Sequence, residues 1–126
     1  MAIIETIFDN AQDLTTHIVT NRLEYPQIFE VMKKSVETKR TSLVLWDFRG
    51  GQFLDMSGSE MKDVMKDLRT LAPTRGSGRT AMVVSSDADL GTGRMVETLL
   101  ETEGFEVSVR FFRDMTEARE WLGLDA

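Results

Sequence analysis

Leu43-Val44-Leu45-Trp46 is the stretch that most limits how this chain can fold. Its side chains are apolar without alternation, so a strand built from them must be covered on both faces, as in the middle of a parallel sheet. A second run of this kind, Ala81-Met82-Val83-Val84, follows an amphipathic segment. There Met61, Val64, Met65, Leu68, Leu71 and Ala72 form a helical stripe opposite Lys62, Asp63, Lys66, Asp67 and Arg69,. Strand, helix and strand in that order make a crossover unit, with Pro73 expected to end the helix.

The remaining segments extend this unit on both sides. Ala2 to Phe8 and Leu14 to Thr20 read as strands, joined by the turn-rich Asp9-Asn10-Ala11-Gln12-Asp13,. Alternation in the second puts Leu14, Thr16 and Ile18 on one face and Thr15, His17 and Val19 on the other, with His17 expected to be solvent-facing or half-buried. Pro26 suits the first turn of a helix that should end near Thr38 to Arg40. Ser86 to Gly93 reads as a polar crossing loop before a helix with Met95, Val96, Leu99 and Leu100 inward. Phe105 to Phe112 is the last strand, and Asp114 caps a terminal helix with Glu117 in capping-box spacing. The order β-β-α-β-α-β-α-β-α predicts an α/β fold: a single small domain over residues 1–126 with a mixed, mostly parallel five-stranded sheet,. Its first edge should be antiparallel.

At 126 residues the chain suits one domain with its own core,. No apolar run approaches the roughly 20 residues of a membrane-spanning helix, and the first residues lack the pattern of a secretory signal, so a cytoplasmic location is expected. A formal charge of −6 repels nucleic-acid phosphates and anionic membranes, which favours basic protein partners or small neutral ligands,. With no cysteine and His17 as the sole histidine, disulfides, thiolate metal sites, paired-histidine zinc sites and histidine-based triads are excluded,. No catalytic residue, metal or cofactor is expected.

Polar chemistry concentrates in Trp46 to Glu60, read as the loop that leads from the Leu43 strand into the next helix. In open α/β folds such loops, at the carboxyl ends of strands, are where ligands and partners sit. Ser57-Gly58-Ser59-Glu60 has capping-box spacing. An exposed serine at a helix N-terminus is also a phosphorylation candidate, because a phosphate there meets free N–H groups and the positive end of the helix dipole. Asp47, Arg49, Asp55 and Ser59 in this loop, with Ser86, Asp87 and Arg94 in the next, are the candidate ligand- or partner-binding residues. Asp47 and Asp55 are otherwise turn formers, and Arg49, Arg75 and Arg94 are candidate anion contacts. Asp87 and Asp89 fail as a calcium loop, since the twelfth position is Thr98,. Gly91-x-Gly93 lacks the third glycine and the later acid of a dinucleotide site. Met32, Met61, Met65 and Met95 suit an adaptable core, and equally a pocket for a small apolar ligand.

From Asp47 through Phe53-Leu54-Asp55-Met56-Ser57-Gly58 the chain resembles the central motif of the STAS domain family, the anti-sigma-factor antagonists. In that motif an Asp or Asn ends a central strand and an F-[LM]-D-S-S-G turn opens the next helix. The family's phosphorylated serine would correspond to Ser57; Met56 stands where the motif has its first serine, and Ser59 where it has an apolar residue. Val109-Arg110-Phe111-Phe112-Arg113-Asp114 and Glu117-Ala118-Arg119-Glu120-Trp121-Leu122 look more like the SpoIIAA-like proteins, related to STAS domains and to the Sec14 lipid-binding fold. The resemblance implies a non-enzymatic regulatory module with a protein partner and a switch at Ser57. The alternative is a carrier or sensor of a lipid or small apolar ligand.

Overall fold

A computed structural model of the chain describes residues 2–53 and 58–124. In chain order the elements are β1 (Ile3–Asp9), β2 (Leu14–Arg22), α1 (Tyr25–Thr38), β3 (Leu43–Gln52), α2 (Gly58–Arg75), β4 (Gly78–Val83), α3 (Asp87–Thr102), β5 (Val107–Phe112) and α4 (Met115–Trp121). The five strands form one sheet in the order β1-β2-β3-β4-β5. β1 pairs antiparallel with β2, and the other pairs are parallel, as the crossover pattern predicts.

Three crossovers stepping in the same direction, each right-handed, put their helices on one face of the sheet. The packing agrees. Ile28 of α1, Met61, Val64 and Met65 of α2, and Val96 and Leu100 of α3 share one core with Val19, Trp46, Phe48, Met82 and Phe111. On the opposite face Ala118 of α4 and Leu122, its C-cap, cover Leu45, Ala81 and Val83. The Leu43 to Trp46 strand is therefore central and sandwiched, which is why its sequence does not alternate. Aromatic rings run across the three-helix face: Trp46 and Phe48 have centroids 5.9 Å apart, Phe48 and Phe53 5.2 Å, and Phe53 and Phe111 5.1 Å. Such pairs each add about 0.5–1.5 kcal/mol to the burial of the rings.

Five local expectations are corrected. β3 runs on to Gln52, so Trp46 to Gln52 is strand and the connection begins only at Phe53. β2 advances two residues from Ile18 to Thr20 while β3 advances three from Asp47 to Gly50, which marks a bulge in β3,. Past it, Gly51 passes so close to β2 that a Cβ there would lie 2.4 Å from the Asn21 carbonyl oxygen. The glycines that suggest a loop serve a close strand approach.

Pro73 does not end α2, which continues to Arg75. In the last turn a proline forfeits only one backbone bond, and the Gly76 N–H closes the helix by donating to the Ala72 carbonyl at 2.9 Å,. α3 starts at Asp87, so Gly91, Thr92 and Gly93 are helical and not part of a loop. Met95 is exposed, because the buried positions of α3 are Gly93, Val96 and Leu100.

His17 is buried, with 1% of its surface exposed. It lies on the helix-covered face, against Trp46 with ring centroids 4.2 Å apart, and its Nδ1 shares a 2.9 Å hydrogen bond with Thr6 Oγ1. The alternation placed it on the right face, but that face is the core.

Candidate functional site

The carboxyl ends of β3 and β4 meet the start of α3, and there the polar residues of the two crossovers converge. Asp47, nearly buried, accepts three hydrogen bonds from Arg49. Its Oδ1 takes the backbone N–H and Nε–H of Arg49, both at 3.0 Å, and its Oδ2 takes NH2 at 2.9 Å. Burial opposes ionisation of Asp47, but the side-chain and backbone bonds from Arg49 and its charge outweigh that and hold the carboxyl below its ordinary value. The pair therefore braces the bulge. The Arg49 side chain, 57% exposed, remains open to solvent.

β3 is tied to the α3 entry at two points. Ser85 Oγ donates to the Gly51 carbonyl at 3.0 Å, and the Phe53 N–H donates to Asp89 Oδ2 at 3.0 Å. Ser86 is the N-cap of α3, its Oγ accepting from the Asp89 N–H at 3.1 Å. Asp89 thus links the helix cap to the start of the connection toward α2. Asp87 and Asp89 in the first turn also complement the helix dipole with negative charge, an arrangement unsuited to binding an anion there,.

Asp89→Ala removes the acceptor for the Phe53 N–H. Faster hydrogen exchange at Phe53 and a loss of about 1–2 kcal/mol in urea unfolding are expected, with a smaller effect for Asp89→Asn, which keeps an acceptor oxygen.

Of the residues singled out in the sequence, Asp47 and Arg49 are brought together and Ser86 joins Asp89 and Phe53. Asp87 points outward and pairs with Arg113. Arg94 turns to its own helix, where NH1 donates to Glu97 Oε1 at 3.0 Å and Oε2 at 2.8 Å. Ser59 is exposed in the first turn of α2. Asp55 and Ser57, with the capping-box and phosphorylation readings that rest on Ser57, lie outside the described residues. Sequence reasoning missed the anchoring role of Asp89. The signal was there in Ser86-x-x-Asp89, a capping spacing ahead of the apolar positions of α3.

A second feature lies deeper. Between the sheet and the three helices on that face is a cavity of about 140 Å³, lined mainly by apolar side chains, including Met32, Trp46, Leu68, Met82 and Phe111. Two of the methionines expected on inner faces, Met61 and Met65, pack in the core instead of lining it. Arg75 and His17 also line the cavity. No helix among the described residues is long and apolar enough to cross a membrane.

A β-β-α-β-α-β-α-β-α chain with this strand order, three helices on one face and α4 on the other, has the SpoIIAA-like fold. Over 96% of its length the chain is similar to 93% of an uncharacterized protein of the DUF3478 family with that fold from Shewanella loihica PV-4, at 16% identity and a TM-score of 0.60. An anti-sigma factor antagonist from Mycobacterium paratuberculosis matches 98% of this chain with 95% of its own, at 10% identity and a TM-score of 0.60. The anti-sigma factor antagonist SpoIIAA in its unphosphorylated form matches 98% of this chain with all of its own, at 14% identity and a TM-score of 0.50. No protein-family model and no curated protein matches the sequence.

Proposed function

We propose that this protein is a non-enzymatic, cytoplasmic regulatory module that binds a protein partner beside the exit of β3, with the Ser57 hydroxyl as its switch. The observation that carries the reading is the Phe53–Asp89 hydrogen bond, which fixes one end of the segment containing Ser57 against the start of α3. The likeness of fold to two anti-sigma factor antagonists supports a protein as the partner. Phosphate on Ser57 adds about −1.5 to −2 charge near neutral pH, enough to repel an acidic partner surface or recruit an arginine.

The test is quantitative affinity capture from the host with wild type, Ser57→Ala and Ser57→Asp. A partner retained by wild type and Ser57→Ala and lost by Ser57→Asp is expected. Equal recovery by all three sinks the switch.

The cavity favours a second reading, a carrier or sensor of a lipid or small apolar ligand. Native mass spectrometry of freshly purified protein should then show a copurified hydrophobic molecule, and protein of bare mass counts against it.

A further inference from the structure

Among the described residues lining the cavity, Arg75 is the only Lys, Arg, Asp or Glu. His17 brings no charge at neutral pH, because burial pushes its pKa down to about 4. The Arg75 guanidinium is held entirely by neutral acceptors. NH1 donates to the Thr41 and Ser77 carbonyls at 3.3 and 3.2 Å. NH2 donates to the Ser42 and Arg79 carbonyls at 3.3 and 3.4 Å and to Thr80 Oγ1 at 3.3 Å. These are long bonds, and among the described residues no carboxylate stands within ion-pair distance of Arg75. Burial and the charge of Arg40 both disfavour its charged form, and the weaker influence of Asp13 works against them. The Arg75 side chain is half-buried with no anion in contact, and a ligand that brings one offers a charge-assisted bond in place of long contacts to neutral acceptors,.

Volume limits the rest of the ligand. At about 140 Å³ the cavity is close to an engineered one of ~150 Å³ that takes up benzene,. Its walls, rich in Phe, Met, Leu and Val, reject a polar body and leave no room for a long acyl chain.

We propose that this protein binds a small monocarboxylate, with an apolar body of about six carbon atoms seated in the cavity and the carboxylate on the Arg75 guanidinium. The carboxylate replaces the weak contacts to Thr80 Oγ1 and the Arg79 carbonyl with charge-assisted hydrogen bonds. The inference rests on the cavity reading and adds the chemical class and the residue that selects it.

Isothermal titration of the whole protein with hexanoate, 1-hexanol and hexylammonium tests it. Hexanoate should bind about tenfold tighter than hexanol, as expected for one charge-assisted contact, and hexylammonium should not bind. Arg75→Gln should bring hexanoate to the level of hexanol while leaving hexanol unchanged, and Met32→Trp, which fills the cavity, should abolish both. Hexanol binding as well as hexanoate to wild type overturns the carboxylate assignment and leaves the cavity reading standing. Failure of both to bind wild type overturns the cavity reading itself. Hexanoate binding that survives Met32→Trp overturns the location. If Arg75→Gln does not fold, the wild-type comparison still decides the ligand class.

Discussion

Gly93→Ala should destabilise the protein by about 3 kcal/mol, seen as a large drop in the urea midpoint without loss of two-state behaviour. An added Cβ would lie 2.2 Å from Cδ2 and 2.3 Å from Cγ of Phe111, a ring with no exposed surface. Phe111 also packs against Phe53 and lies in the three-helix core, so it has nowhere to move. α3 would have to lift from β5, the strand on which it packs. Gly91 is the internal control. It lies two residues earlier in the same helix, and a Cβ there meets nothing within 4 Å. Gly91→Ala should therefore stabilise by up to about 1 kcal/mol, the ordinary gain for replacing glycine in a helix. Opposite signs at the two sites are the expected result, and a loss of stability at both would refute the packing argument.

The second large effect is a dependence of stability on pH that a single residue sets. His17 titrates near 6.5 when exposed, and burial lowers it to about 4 in the folded protein. Above pH 6.5 both states hold it neutral and its contribution is fully present. Between about 6.5 and 4 the unfolded chain takes up a proton that the folded one refuses, so stability falls as pH falls. The whole loss is about 3 kcal/mol, reached near pH 4 and not growing below it. Asp13 and Asp47, both held below the ordinary carboxylate value, act in a more acidic window. Urea unfolding of wild type at pH 7.5, 5.5 and 4.0 should show the decline. His17→Gln should be flat from pH 7.5 to 5.5, with only the smaller carboxylate contribution left toward pH 4.0, and a decline parallel to wild type in that variant would show that His17 is not its source,.

Much of the fold was legible in the sequence because the signals were strong and local. Apolar runs at Leu43 and Ala81, stripes such as Val64, Leu68 and Leu71, and the Asp114 cap each follow from one element's own chemistry. The Asp114 carboxylate accepts from the Thr116 and Glu117 N–H groups, as the spacing implies. The errors came where a residue answers to a neighbour far along the chain. Gly51 is small because of Asn21, Gly93 because of Phe111, and His17 is buried because three helices cover a face whose alternation reads as polar. Of the candidate site, Asp47, Arg49 and Ser86 were singled out by residue type near a strand end, although Asp47 and Arg49 lie within β3 itself. Asp89 was seen as an acid without its partner, since Phe53 lies 36 residues away in sequence. Arg75 stood out as an anion contact, whereas its place at the cavity depends on packing that no local pattern encodes.

The strand order of the sheet is the order of the chain, and every ladder joins consecutive strands. No strand has to be threaded between two that are already paired. As synthesis proceeds, each new crossover adds one helix and one strand to an existing edge, so assembly can follow the ribosome without waiting for the carboxyl terminus. α4 follows β5 and closes the second face over β4 and β5. Until it docks, Leu45, Ala81 and Val83 stand uncovered, so the seating of one short helix decides whether the second face of the sheet is exposed to aggregation.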